Sequence, residues 1–434
     1  MTYLPNLVFA AVLAFAIWTF AKKVGSIRRN ILLGKDEDRS DQPGKRWKNM
    51  LRVAFGQSKM QARPVAGILH FIVYASFLII NLEVVEIILD GLLGTHRLLA
   101  APLGALYTAA INFFEVLAVL TLVAVVVFWW RRNVLKLSRF QKLEMKGWAF
   151  KDANNILYIE VALMLALLNM NAVESLLPGA HHHFLVSSWI APLWSGAPTS
   201  SLYFMERFFW WIHILGILAF LNYLPYSKHF HIILAFPNTY FANLQAKGKF
   251  ANNAAVTKEV QLMMDPSADP FAAAPATDVP VERFGAKDVT DLSWVNLLNA
   301  YTCTECGRCT DSCPANLTGK KLSPRKVMMD TRDRMEEVSQ QMAQQGEQYV
   351  PDEKSLLGHY ITQEELWACT TCNACVAACP VDIDPLNIIM KLRNYATMEE
   401  SSAPAALNGM MSNVENNGAP WPFSQMDRAN WINE

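Results

Sequence analysis

Two stretches late in the chain, CTECGRCTDSCP from Cys303 and CTTCNACVAACP from Cys369, each follow the pattern C-x2-C-x2-C-x3-C-P. Cys303, Cys306, Cys309 and Cys313 make the first copy. Cys369, Cys372, Cys375 and Cys379 make the second, and these are all 8 cysteines of the 434-residue chain. None is left for a disulfide framework, so the usage points to metal ligation by thiolates in a reducing compartment. Four thiols within one short run, twice over, is the spacing that holds a pair of [4Fe–4S] clusters. Structural zinc more often uses C-x2-C pairs set far apart. Paired clusters carry electrons and activate no substrate by themselves, so no catalytic residue is assigned.

What holds this module is unusual for an electron carrier. Hydrophobic residues are 52% of the chain and charged residues only 18%, which is apolar-rich and charge-poor for a soluble protein. The formal net charge of zero gives no case for nucleic acid. Apolar runs at roughly 4–21, 65–89, 103–130, 155–177 and 206–234 are each near or above the roughly 20 residues that cross a bilayer. The first lacks a preceding basic stretch and a small-residue cleavage site, so it reads as a helix and not as a signal peptide. Residues 22–63 carry twelve Lys and Arg and 131–153 carry seven, whereas 90–102 has only Arg97 and 178–205 has none. The asymmetry predicts a multi-pass protein of the cytoplasmic membrane with the N-terminus outside. Everything after the fifth helix, the cysteines included, is then cytoplasmic.

Ionisable groups inside such spans are functional candidates. His70 lies early in the second span and His213 in the fifth, with His229 and His231 toward its cytoplasmic end. Neutral imidazole ligates haem iron, and a haem between two helices takes one His from each at matching depth. The topology puts His70 and His229 or His231 at the same depth, near the cytoplasmic face. On one straight helix His213 and His231 would lie about 27 Å apart on a shared face, and His229 would point about 200° from His231, toward headgroups or solvent. Pro225 is expected to kink the segment between them. His213 is left for an outer site, with His96 as a partner or in a quinone pocket. The HHH run at 181–183 reads as a solvated outer loop. Glu83, Glu86, Glu115, Glu160 and Glu174 also fall in or near spans, as structural hydrogen-bonding groups or as parts of a proton path or quinone site.

Residues 265–282, rich in Pro and Ala without apolar periodicity, read as linker. SWVNLLNAYTC reads as a short helix leading into the first motif, and SPRKVMMDTRDRMEEVSQQMAQQGEQ as a helix between the motifs. The chain is thus expected to be all-α: a transmembrane domain over 1–240, a linker over 241–290, a helical two-cluster domain over 291–400 and a partner-binding tail over 401–434.

Several of these stretches carry resemblances. HILGILAFLNYLPYSKHFHI resembles the last transmembrane helix of the cytochrome b subunit of respiratory nitrate reductase, which has two haem-ligating histidines spaced as His213 and His231 are. That resemblance implies haem b on His70 and His231. The position of a second His on the family's second helix is Ile80 here, which cannot ligate, so the resemblance supports an outer haem on His213 poorly. Each cysteine run resembles that of bacterial ferredoxins, whose fourth Cys ligates the other cluster. Carried over, this implies one cluster on Cys303, Cys306, Cys309 and Cys379 and another on Cys369, Cys372, Cys375 and Cys313. The helical segment between the copies resembles the helical ferredoxin domain of succinate dehydrogenase and heterodisulfide reductase.

As a whole the chain resembles membrane-bound heterodisulfide-reductase-related (Fe–S)-binding proteins, some of which take electrons from electron-transfer flavoprotein to quinone. Many of these continue into a domain with two CCG repeats, which this sequence lacks. The resemblance therefore implies a separate CCG-domain or flavoprotein partner. The expected function is that of a membrane oxidoreductase subunit passing electrons between a cytoplasmic partner and quinone. The alternative is a membrane anchor that docks an iron–sulfur partner without haem chemistry. A transporter has little support, since no broken-helix repeat is evident.

Overall fold

The computed structural model describes residues 3–179, 183–250, 252–267 and 283–433. Among them every named element is helical. Five helices are long and apolar enough to cross a membrane: α1 (Leu4–Ile31), α2 (Pro64–Leu93), α3 (Ala105–Asn133), α4 (Trp148–Glu174) and α5 (Thr199–Tyr223). Their limits follow local chemistry. Pro64 opens α2 at a position where its missing N–H costs nothing, and Gly94 closes it in the left-handed region. Arg28 and Arg29 close α1, and Arg131 and Arg132 close α3, where cations meet the negative end of the helix dipole. The bundle is organised around α4, of whose apolar window 61% is buried, against 11% for α1. Phe15, Ile17 and Trp18 of α1, like Ile68, Phe71 and Leu82 of α2, present exposed apolar surface that suits lipid.

The fifth apolar run does not continue as one helix. Pro225 sits in a tight turn over Leu224–Tyr226, and Ser227 is extended. One further turn, Lys228–Phe230, then leads into a separate helix α6 (His231–Tyr240). The straight-helix geometry expected for His213 and His231 is therefore replaced by a break, because proline cannot supply the backbone N–H that the next turn needs.

Beyond α6 come a helix at Ala254–Met264 and then residues 268–282, most of the expected linker, which lie outside the described residues. The dicluster region is built on α7 (Trp294–Thr302), α8 (Pro324–Gln345) and α9 (Pro385–Met398). Each opens on a sequence signal. Ser293 and Asn296 form a reciprocal cap on α7, while Ser323 and Asp384 cap α8 and α9 ahead of Pro324 and Pro385. Arg334, buried on α8, donates to Asp288 at 2.7 Å, Asp352 at 2.6 Å and the Lys354 carbonyl at 2.7 Å, which ties the flanking loops to the helix.

The two regions meet through the basic loops. Lys59 pairs with Asp382, Arg63 with Asp311 at 3.0 Å, and Arg325 with Glu144 at 2.7 Å. Asn30 Nδ2 donates to Tyr301 Oη at 2.7 Å, and Asn238 Nδ2 to the Val381 carbonyl at 2.7 Å. The Lys- and Arg-rich connections 22–63 and 131–153, the end of α5 and the dicluster region thus share one side of the bundle.

A backbone contact seals this side. Lys35 N donates to Leu292 O at 2.7 Å and Trp294 N to Lys35 O at 3.0 Å. Gly34 makes the approach possible, since a Cβ there would meet Trp294 N at 2.5 Å and Ser293 C at 2.6 Å. Gly34→Ala is expected to lower stability by about 1–3 kcal/mol through overpacking against rigid backbone. Gly25→Ala, with nothing within 4 Å, should be neutral or slightly stabilising. Denaturant unfolding of the detergent-solubilised protein, followed by circular dichroism, separates the two.

Candidate functional site: two thiol sets beside a histidine pair

The two cysteine runs fold alike because both bend at equivalent points. Glu305 and Thr371, two residues after the first Cys of each run, have φ of 53° and 55°. Gly307 and Asn373, four residues after it, have φ of 73° and 60°. Left-handed residues at both points curl the backbone between the first and third Cys, and a short helix starting just before the third Cys then leads to the fourth. Glycine suits 307, where φ is 73° and a Cβ would crowd the buried Arg325 guanidinium. Asn is the other residue that adopts this region readily, which accounts for Asn373.

Thiols of the two runs lie near one another: Cys379 neighbours Cys303 and Cys306, and Cys313 neighbours Cys369 and Cys375. Burial raises the Cys379 thiol well above its ordinary value, and the neighbouring Cys306 and Cys303 raise it further. Cys309 is raised by burial first, then by Cys306, Cys303, Cys379 and, least, Cys375 of the other run. Burial pushes Cys375 up to about 12, with Asp384, Cys369 and Cys313 adding to it. Cys369 is raised by burial and, less, by Cys313 and Cys372. Buried thiols of this kind are thiolates only beside strong positive charge, which bound iron supplies. Backbone amides point at two of the sulfurs: Thr371 N lies 3.4 Å from Cys369 Sγ, and Ile383 N lies 3.3 Å from Cys379 Sγ. Among the described residues no three His, Cys, Asp or Glu groups are arranged to hold a single metal ion. Neighbouring thiols of the two runs with backbone amides on sulfur fit cluster ligation.

The sets differ in surroundings. Cys372 is exposed, and a small cleft at the second set is lined by Cys313, Cys369, Cys372, Cys375 and Ile389. The first set faces the membrane bundle. Arg308, beside Cys309, donates to Lys59 O at 3.1 Å. Glu305 is buried against Lys228 and against Arg332 at 2.9 Å. Burial pushes its carboxyl up, but these two cations hold it below the usual carboxylate range.

On the membrane side of Lys228 stand the histidines. The His70 and His231 rings lie 6.3 Å apart between centroids, tilted by 47°. His70 Nδ1 is 3.0 Å from Gln57 Oε1, and His231 Nδ1 donates to the Lys228 carbonyl at 3.0 Å. Both rings therefore keep Nε2 free of these bonds. His229 does not face headgroups or solvent as helical spacing suggested. Its ring packs 5.4 Å from Phe220 and 5.6 Å from His231, because residues 228–230 form a tight turn ahead of the helix. His213 is buried on α5 and donates from Nδ1 to the Leu163 carbonyl of α4 at 3.0 Å. His96 is half-exposed and lies nearest Glu206 and Glu174, at 3.8 and 4.0 Å. His181 and His182 lie outside the described residues.

The acidic groups also resolve. Glu83 and Glu174 pair with Arg97 at 3.3 and 2.8 Å, Glu86 accepts from Tyr107 Oη at 2.7 Å, and Glu115 accepts from Asn171 at 3.2 Å. Four of the five are thus hydrogen-bonded network groups, and Glu160 is buried within α4. Sequence reasoning missed Gln57, Glu305, Arg332 and the role of Lys228. Only Lys228 had a signal, as the basic residue of the PYSKHFH stretch.

Residues 302–383 match the 4Fe-4S dicluster domain family. The "Probable iron-sulfur-binding oxidoreductase FadF" of Bacillus subtilis is 30% identical over 99% of this chain and 61% of its own length. The "EtfAB:quinone oxidoreductase" of Syntrophomonas wolfei is 25% identical over 100% of this chain and 59% of its own. One component of the "Ferredoxin/F(420)H(2)-dependent CoB-CoM heterodisulfide reductase" of Methanosarcina acetivorans is 31% identical over 25% of this chain and 52% of its own. The chain spans about three-fifths of the length of the first two relatives. No solved structure matches. With these relatives, five candidate membrane helices and the match over residues 302–383, the chain is a homologue of iron–sulfur oxidoreductases that carries a 4Fe–4S dicluster domain.

Proposed function

We propose that this chain is a membrane electron-transfer subunit that passes electrons between a cytoplasmic redox partner and quinone, through two [4Fe–4S] clusters and a b-type haem. One observation carries the reading: two histidines with free Nε2 atoms stand at 6.3 Å between ring centroids, across Lys228 from the first thiol set. Two histidines at this spacing would hold a haem iron and supply its axial ligands, and the iron would carry the one-electron chemistry. Gln57 and the Lys228 carbonyl fix both rings in the tautomer that leaves Nε2 to a metal.

When bound, the haem and the clusters supply one-electron steps. The protein's part is arrangement. Cys303, Cys306, Cys309 and Cys379 hold the cluster nearer the membrane, and Cys369, Cys372, Cys375 and Cys313 hold the one nearer the surface. The cleft at exposed Cys372 suits exchange with a soluble partner. A CCG-domain iron–sulfur subunit or electron-transfer flavoprotein fits that role, the latter in keeping with the name of the Syntrophomonas relative. His213, with one nitrogen committed to Leu163, belongs to a quinone pocket or an outer site and not to this pair. We read the dicluster side as cytoplasmic and the N-terminus as outside, a reading supported by the Lys- and Arg-rich loops on that side.

Cys379→Ser should perturb the cluster built on Cys303, Cys306 and Cys309 and leave the other intact. Electron paramagnetic resonance (EPR) of the reduced, anaerobically purified protein reads this, and the reverse pattern rejects the crossed assignment. Separately, His70→Ala and His231→Ala should each abolish the b-type haem, whereas His229→Ala should retain it. Haem quantification decides the matter: normal content in His231→Ala with loss in His229→Ala would name the other histidine.

A further inference from the structure

The turn between α5 and α6 touches both candidate redox sites through a single residue. The Lys228 carbonyl accepts from His231 Nδ1 at 3.0 Å. Its ammonium pairs with Glu305, the residue directly before Cys306, and donates to Ala149 O at 2.6 Å. Asp152 lies 3.7 Å from the same ammonium, and Arg332 holds the other oxygen of Glu305 at 2.9 Å. The Lys228 and Glu305 side chains are 9% and 3% exposed, so water does little to screen them. In the second cysteine run the residue matching Glu305 is the neutral Thr371, and the nearby cation is Arg393, which donates to the Cys369 carbonyl at 2.6 Å.

We infer that Lys228 is a positioning residue that couples the two redox centres, its carbonyl orienting His231 and its ammonium setting the charge around the first thiol set. The inference rests on the assignment of Cys303, Cys306, Cys309 and Cys379 to one cluster. A buried positive charge beside a cluster favours its reduced, more negative form, because cluster potential follows net local charge. Glu305 acts in the opposite sense, and Lys228 and Arg332 keep that carboxylate compensated. The lysine side chain thus selectively eases reduction of the cluster nearer the membrane. The same residue's backbone holds the imidazole across which electrons reach the membrane interior.

The test is an EPR-monitored redox titration of the full chain, purified anaerobically in detergent, with wild type, Lys228→Met, Glu305→Gln and the double variant. Lys228→Met keeps the carbonyl, so haem content should hold. It should lower the reduced-to-oxidised ratio of the first cluster roughly tenfold at fixed ambient potential, equivalent to about 59 mV for a one-electron couple. The second cluster should not move. Glu305→Gln should shift the first cluster the other way, and the double variant should fall between. Lys228→Arg, which keeps the charge, should stay near wild type. If Lys228→Met does not fold, Glu305→Gln alone decides. An unmoved first cluster in Glu305→Gln, or equal shifts of both clusters, overturns the coupling. A wild type without two separable cluster signals overturns the cluster assignment itself, and the inference with it.

Discussion

Everything in this molecule turns on the seam where the first cysteine run is pressed against the ends of the membrane helices. Lys228–Glu305, Lys59–Asp382 and Arg325–Glu144 cross it, and Arg325 is wholly buried there. Charges taken out of water are costly unless paired, and breaking one such pair costs about 3–5 kcal/mol. The dicluster region is therefore not a carrier swinging on a tether. It is seated in one orientation, with Cys303 and Cys379 toward the bundle and Cys372 toward the surface.

That seating makes two similar loops unequal. The runs share their left-handed bends at Glu305 and Thr371 and at Gly307 and Asn373, so local geometry alone would make two equivalent thiol cups. Their surroundings differ. One cup has Glu305, Lys228, Arg308 and Arg332 packed around it. The other has Arg393 on the Cys369 carbonyl, a cleft and an exposed sulfur. Net charge, amide contacts and exposure are the levers by which a protein sets cluster potential, so a duplicated motif becomes an ordered pair.

Much of this was legible in the sequence. The doubled cysteine run pointed to a dicluster domain, because spacing of that kind serves little else, and residues 302–383 match one. The five spans were readable because a bilayer demands about 20 apolar residues and leaves loops to carry the charge. The capped starts at Ser293, Ser323 and Asp384 were equally local. The rest depended on tertiary packing. A helix projection put His229 outward, and only the break at Pro225–Ser227 turns its ring toward Phe220 and His231. The basic loops were read as topology markers, and nothing local shows that Lys59, Arg63 and Lys228 are also partners for Asp382, Asp311 and Glu305. Gln57, which fixes His70, lies outside the spans in a connecting loop and carries no motif.

The central claim is that the histidine pair lies on the electron path between quinone and the clusters. Stopped-flow absorption of the dithionite-reduced, anaerobically purified chain, mixed with a soluble quinone, tests this most directly. The account predicts a b-type haem band that is oxidised by the quinone, with the broad cluster absorption reoxidised through it. A chain with intact clusters and no haem band, or a haem that reoxidises while the clusters stay reduced, would contradict it.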